Sequence, residues 1–191
     1  GIGNSEGSIS IMVNEEDHLR IQCFASGLEL DTLWAMADKI DDLIEKELDY
    51  AYDEQYGYLT CCPTNLGTGM RVSVMMHLPG LVLTNQGKLI FSQLAKLGIV
   101  VRGLFGEGTE AYGNLFQISN QITLGQNEKE ILESISSVAR KMVSQEEAAR
   151  NYLVKNAGIQ IEDKARRAYG ILTNAKVISS QEALSLISDL R

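Results

Sequence analysis

The sequence predicts a mixed fold of strands and helices, and three observations predict it. Period-2 alternation of apolar and polar residues recurs at residues 8–13, 71–78 and 115–124. Apolar residues at helical spacing recur elsewhere, first at residues 31–49. Turn chemistry punctuates the two kinds of segment, above all in Cys62-Pro63-Thr64-Asn65-Leu66-Gly67-Thr68-Gly69. The chain has 191 residues, 45% hydrophobic and 22% charged, which is the composition of a soluble globular protein with a sizeable core.

Composition also excludes several functions. No apolar run reaches the ~20 residues that span a bilayer, and no signal-peptide pattern opens the chain. A formal charge of -8 argues against broad electrostatic binding to nucleic acid or to an anionic membrane. Cys23, Cys61 and Cys62 make no disulfide framework and point to a reducing cytoplasm. His18 and His77 are too few and too far apart for a metal cage, so no protein metal site is expected. The chain opens on Gly1 rather than Met, and its start reads as a cut end.

Taken in order, Ser8-Ile9-Ser10-Ile11-Met12-Val13 is the first strand. An acidic turn, Asn14-Glu15-Glu16-Asp17, leads into a second strand, His18 to Phe24. If that strand stays extended, Glu16, His18, Arg20 and Gln22 share a face, which sets a carboxylate near a guanidinium. Residues 31–49 predict an amphipathic helix with acids outward and Trp34 in the core. An aromatic connection from Tyr50 to Tyr58 then enters the Cys62 turn. Such a turn exposes N–H donors and allows close backbone approach, which suits an anion.

The next strand puts Arg71, Ser73, Met75 and His77 on one face and Met70, Val72, Val74, Met76 and Leu78 on the other. Pro79 ends it, and one helix is expected over residues 80–97. Ile99 to Arg102 is a short strand running into the glycine-rich loop Gly103-Leu104-Phe105-Gly106-Glu107-Gly108. That loop is neither a Walker loop nor a Rossmann fingerprint. Residues 115–124 alternate again, and Asn127 with Glu130 caps a helix reaching about residue 145 or beyond. The rest, residues 146–191, is expected to be a charged helical extension of a domain spanning residues 1–145. Within it, residues 163–172 read as a helix, Ser179 with Glu182 caps another, and Arg166-Arg167 reads as a solvated face.

Arginine placement is the sharpest signal that residue types alone provide. Before residue 140 the arginines are Arg20, Arg71 and Arg102, each in or beside a strand rather than on a polar helix face. Guanidiniums match phosphate oxygens bidentately and stay charged when partly buried, so three on strands of an acidic protein suggest an anion site. The alternative is that each pairs with a buried carboxylate for structural reasons. With Glu16, Cys62 and Glu107, these arginines permit phosphoryl transfer to a cationic acceptor. Neither histidine has a recognisable spacing to Cys62, which argues against a cysteine hydrolase.

Three segments in this order resemble the guanidino (phosphagen) kinase family. They are Asn14-Glu15-Glu16-Asp17-His18-Leu19-Arg20, Cys62 to Thr68 continuing through Arg71-Val72-Ser73-Val74, and Arg102-Gly103-x-x-Gly106-Glu107. Tyr52 to Thr60, Met75 to Leu81 and Phe116 to Gly125 are similar to the bacterial branch that phosphorylates arginine in proteins. Small-molecule members typically carry histidine where this chain has Met75 and Gly108.

The resemblance implies an α+β fold, an antiparallel sheet flanked by helices of the glutamine synthetase-like kind. It implies that Glu16 binds the guanidinium and acts as base, that Cys62 orients it as a thiolate, and that Glu107 is a second acceptor-side carboxylate. Arg20, Arg71 and Arg102 would hold the ATP phosphates, with Val72, Ser73, Val74 and Met75 and with Gly103, Leu104, Phe105 and Gly106 shaping the nucleotide site. Mg2+ would arrive bound to ATP. Implied partners are proteins with exposed arginine, a Clp-type unfoldase, a heat-shock repressor, a zinc-binding activator and a second copy in a homodimer. A kinase for free arginine or a similar guanidine, and an inactive adaptor that binds nucleotide or phosphoarginine, remain open. The family's upstream Ser-x-Arg-x-Arg segment is absent from this sequence, as is the C-terminal phosphoarginine-sensing motif of the protein-directed branch.

Overall fold

The computed structural model describes residues 2–3, 7–104 and 111–191 and is α+β, with its strands distributed over three small sheets. The chain divides into two compact units that interleave in sequence. The first comprises Gly1–Val72 with Asn120–Ser136, and the second comprises Ser73–Ser119 with Ser137–Arg191.

In the first unit, strands β1 (Ile2–Gly3), β2 (Ile9–Glu15) and β3 (Asp17–Cys23) pair antiparallel in that order. The register sets Met12 opposite Arg20 and Glu15 opposite Asp17, so the hairpin turns on Glu16 alone. That tightness needs left-handed backbone, and Asn14 and Glu16 supply it with φ of 55° and 67°. Helix α1 (Leu30–Glu45) follows, then the short hairpin of β4 (Tyr52–Asp53) and β5 (Gly57–Tyr58). Tyr58 takes Tyr50 and Tyr52 edge-on, with ring centroids 6.0 and 5.2 Å away.

Trp34 departs from expectation. It is 38% exposed, and Leu30 is the one buried residue of α1. Helical periodicity identifies an apolar stripe but not what covers it, so the pattern alone could not place this indole.

In the second unit, β6 (Ser73–His77) pairs antiparallel with β8 (Leu115–Asn120), and β7 (Ile99–Gly103) flanks β8 on its other side. Leu78, Leu81, Ile99, Phe116 and Ile118 are almost wholly buried, and the Phe91 and Phe116 rings pack 4.9 Å apart. The single helix expected over residues 80–97 is instead two, α2 (Pro79–Leu83) and α3 (Gly87–Ala95). The break lies where the Thr84 hydroxyl donates to Gly80 O at 2.8 Å and Asn85 adopts φ 58°. Short polar side chains that compete for backbone groups outweighed the apolar periodicity there.

Helix α4 (Glu128–Asn174) starts in the first unit and runs on through the second, with a non-helical residue at Ala157. Its start is a reciprocal capping box: Glu130 N donates to Asn127 Oδ1 at 2.9 Å, and Asn127 N to Glu130 Oε2 at 3.0 Å. Arg166 and Arg167 pair with Glu162 and Asp163 one turn earlier, all exposed. Helix α5 (Ser180–Leu190) is capped by Ser179, whose hydroxyl accepts from Glu182 N at 3.2 Å.

Glu146 is the buried anchor of the second unit, at 5% exposure. Its carboxylate accepts from Gly80 N at 2.8 Å and Leu81 N at 2.9 Å, the free N–H groups at the start of α2, and from Arg150 Nε at 2.6 Å. Beside it, His77 Nε2 meets the buried Ser188 hydroxyl at 2.8 Å. Burial, with Arg150 and Arg191 nearby, pushes the His77 pKa down against the opposing pull of Glu146. Glu146→Ala should therefore lower the unfolding free energy by about 2–4 kcal/mol, because it strands two backbone donors and removes the carboxylate partner of Arg150. Arg167→Ala should stay within about 0.5 kcal/mol. Urea denaturation of the two variants checks both, and equal midpoints would contradict this account of Glu146.

Candidate active site

The hairpin tip and the Cys62 turn are both irregular backbone, and side chains hold them in shape. Strand β3 alternates as its sequence requires, with His18 and Arg20 exposed and Leu19 and Ile21 turned inward. Arg20 Nη1 lies 2.6 Å from Glu15 Oε2 and 3.8 Å from Glu16 Oε2, all three side chains being roughly half exposed. Asp17, the residue after Glu16, faces the other way. Its Oδ1 accepts from Cys62 N at 3.1 Å, and its Oδ2 accepts from Asn65 Nδ2 at 2.6 Å. Burial alone would raise the Asp17 pKa. The bonds from Asn65, Cys62 and Cys61, with the charge of Arg20, outweigh it and hold the carboxyl below its usual range.

Cys62 precedes a short 3-10 turn, Pro63–Asn65, and its backbone is extended (φ -95°, ψ 119°). The proline suits the first position of that turn because its missing N–H would have no partner there. Cys62 Sγ lies 3.0 Å from the Thr64 hydroxyl, and the Thr60 hydroxyl donates to Cys62 O at 2.7 Å. All three cysteines are free thiols; Cys61 is exposed and Cys62 half-buried.

The last residue of β8 and the segment after it grip the same turn. Buried Asn120 accepts from Val72 N at 2.8 Å through Oδ1 and donates from Nδ2 to Met70 O and Ile122 O, each at 3.0 Å. Buried Thr123 donates through Oγ1 toward Leu66 O at 2.7 Å and Thr64 O at 3.1 Å, while its carbonyl accepts from Thr68 N at 3.0 Å. Gly67 makes the approach possible. At φ 106°, a Cβ on it would stand 2.4 Å from Thr123 O.

The first unit brings Glu16 and Arg20 together on the hairpin and joins Cys62 to it through Asp17. Arg71 stands exposed at the exit of the turn, next to buried Val72. In the second unit, Ser73, Val74 and Met75 lie on β6 with Met75 58% exposed, and Arg102 projects from β7, followed by Gly103 and Leu104. Phe105, Gly106 and Glu107 lie outside the described residues.

Arg71 and Arg102 form no ion pair with any described residue, and the partners of Arg20 are exposed carboxylates. The buried-carboxylate explanation for the strand arginines thus fails among the described residues. Neither histidine pairs with a thiol there, since His18 meets Asn14 at 3.2 Å and His77 meets Ser188. Among the described residues, no group of three His, Cys, Asp or Glu could hold a metal ion.

Asp17, Asn120 and Thr123 are the side chains that sequence reasoning missed as parts of the site. Apart from Ile122 O, the partners of their side chains in these bonds lie 45 to 59 residues away, and no local spacing announces them.

Comparison with known proteins bears on this arrangement. Residues 2–149 match the family model of the ATP:guanido phosphotransferase C-terminal catalytic domain. Residues 158–191 match that of the protein-arginine kinase McsB C-terminal domain. Over 97% of its length the chain is 59% identical to the protein-arginine kinase of Caldanaerobacter subterraneus. Over 98% it is 57% identical to that of Symbiobacterium thermophilum. It spans 55% and 53% of those two relatives, about half their length. Among solved structures it is similar to the duplicated taurocyamine kinase of Schistosoma mansoni, at TM-score 0.68 and 34% identity over 76% of this chain and 20% of that one. It is also similar to a lombricine kinase, at TM-score 0.67 and 28% identity over 78% of this chain and 41% of the other.

Gly67→Ala tests the grip on the turn. The clash with Thr123 O and the positive φ should together cost roughly 2–5 kcal/mol. Denaturant unfolding measures it, and an unchanged midpoint would mean that the turn does not rest on Thr123.

Proposed function

The chain belongs to the ATP:guanido phosphotransferase family, and from that footing we propose that it transfers the γ-phosphate of ATP to arginine side chains of proteins. The observation that carries this reading is the fastening of a carboxylate hairpin to a thiol turn by Asp17, in a protein whose Arg71 and Arg102 have no carboxylate partner among the described residues. The identity to protein-arginine kinases over nearly the whole chain supports protein arginine over a free guanidine.

In the proposed reaction Glu16 receives the substrate guanidinium and accepts one of its protons. The freed nitrogen lone pair attacks the γ-phosphorus and forms an N–P bond. The bond from that phosphorus to the bridging oxygen breaks, and its electron pair leaves on ADP. Cys62 stands as a thiolate against the guanidinium, with the Thr64 hydroxyl 3.0 Å away able to donate to it. Glu107 is the second acceptor-side carboxylate. Arg20, Arg71 and Arg102 hold the phosphates, and residues 72–75 and 103–106 shape the nucleotide site. Nearly all of the catalysis asked of such a site is positioning and charge neutralisation, which guanidiniums and backbone N–H groups supply. Mg2+ would come with the nucleotide and would supply positive charge to the transferring group.

The same reading assigns residues 1–145 to a catalytic domain and 146–191 to a helical extension, supported by the boundary between the two family models at residues 149 and 158. Proposed surroundings are the cytoplasm and a stress-response setting. Proposed partners are a Clp-type unfoldase, a heat-shock repressor, a zinc-binding activator and a second copy of the chain; these rest on the family resemblance.

Glu16→Gln keeps the shape of the side chain and removes the base. In the complete gene product, assayed with magnesium-ATP and an arginine-rich protein, it should reduce transfer by about 10²–10⁴-fold. Phosphoarginine is counted by mass spectrometry under non-acidic conditions. Full activity in the variant would remove Glu16 from this role, and strong competition by free arginine would favour the small-guanidine reaction instead.

A further inference from the structure

We infer that Asp17 is a positioning residue, whose carboxylate fixes the Cys62 thiol relative to the Glu16 carboxylate. The inference rests on the roles proposed above for Glu16 and Cys62 and extends them to a group that need not touch substrate.

The two oxygens of Asp17 are spent on two different parts of the thiol turn. Oδ1 holds the backbone N–H of Cys62 itself, and Oδ2 holds the side chain of Asn65, the last residue of the 3-10 turn that begins after Cys62. One carboxylate therefore fixes both ends of Cys62-Pro63-Thr64-Asn65, and Thr64 carries the hydroxyl beside the thiol. The carboxylate is itself fixed, because Asp17 is paired with Glu15 in the β2–β3 ladder. Glu16 stands between those two residues at the tip, so the same backbone carries the acceptor-binding carboxylate and the anchor of the thiol. The side chain of Asp17 thus ties the hairpin tip to Cys62 across the 45 positions of sequence between residues 17 and 62.

Ionisation suits the task. Burial opposes the charge of Asp17, but the donors from Asn65, Cys62 and Cys61 favour it more. A charged acceptor makes shorter and stronger bonds than a neutral one, so the link is stiff at neutral pH. Near-attack geometry tolerates little error, and a misplacement of about 1 Å can cost about 10²-fold in rate. Asparagine at this position would still offer Oδ1 to Cys62 N. Its amide would meet the Asn65 amide, which can turn over to accept. Alanine offers nothing to either.

Two measurements test the inference. On the 191-residue chain, alkylation by iodoacetamide is followed peptide by peptide at Cys23, Cys61 and Cys62. Asp17→Ala should raise the Cys62 rate severalfold and leave Cys23, at the far end of β3, within twofold; Asp17→Asn should lie close to the parent. In the complete gene product, Asp17→Ala should lower kcat for transfer by about 10²-fold with KM for ATP within about twofold, and Asp17→Asn should restore most of it. An unchanged Cys62 rate in Asp17→Ala overturns the inference. So does a parallel rise at Cys23 with a lower urea midpoint, which marks a general structural role. If the parent transfers no phosphate at all, the proposed reaction fails, while the thiol measurement still decides what Asp17 does.

Discussion

Between β5 and β6 the chain makes one isolated bridge, Tyr58 with Gly67, and otherwise has no ladder to satisfy its peptide groups. Buried peptide groups without partners cost about 1–3 kcal/mol each, so such a stretch relies on scattered main-chain bonds, such as Thr68 N to Thr123 O, and on side chains that serve the rest. Asp17 does so from the hairpin, Asn120 from the end of β8 and Thr123 from the segment after it. No buried side-chain nitrogen or oxygen among the described residues lacks a partner. The pose of Cys62 and the direction in which the chain leaves toward Arg71 both follow from this arrangement.

Charge is distributed by the same logic. The protein carries a net -8, yet Arg71 and Arg102 stand on the surface without a carboxylate partner among the described residues, and Arg20 is met only by exposed ones. Exposed ion pairs are worth about 0–1 kcal/mol, so Arg20 can exchange its carboxylates for a phosphate at little cost. A guanidinium already paired in the interior could not do so. The buried carboxylate of Glu146, by contrast, is placed at the start of α2, where it serves the fold and pairs with a half-exposed Arg150.

Much of the fold was legible because it is local. The helix caps at Asn127 and Ser179, the alternation of β3 and β6, and the solvated pairs of Arg166 and Arg167 all involve residues close to one another in sequence. The break at Asn85 was hidden by an apolar pattern that continues across it, and the exposure of Trp34 depends on what lies against α1. For the site, residue types and their order pointed to Glu16, Cys62 and the strand arginines. The parts that fix their geometry were not legible. Asp17 reads as one more acid in an acidic turn, and Thr123 as one more polar position in an alternating strand, until the fold brings them to backbone partners far away in sequence.

The proposed reaction forms one bond, between phosphorus and an arginine nitrogen. Phosphorus NMR of the complete gene product, incubated with magnesium-ATP and an arginine-rich protein at neutral pH, observes that bond directly. The account predicts a nitrogen-linked phosphorus resonance that travels with the protein fraction, is lost in mild acid, and grows as ATP is replaced by ADP. Inorganic phosphate as the sole product, or phosphate carried on hydroxyl oxygen, would contradict it.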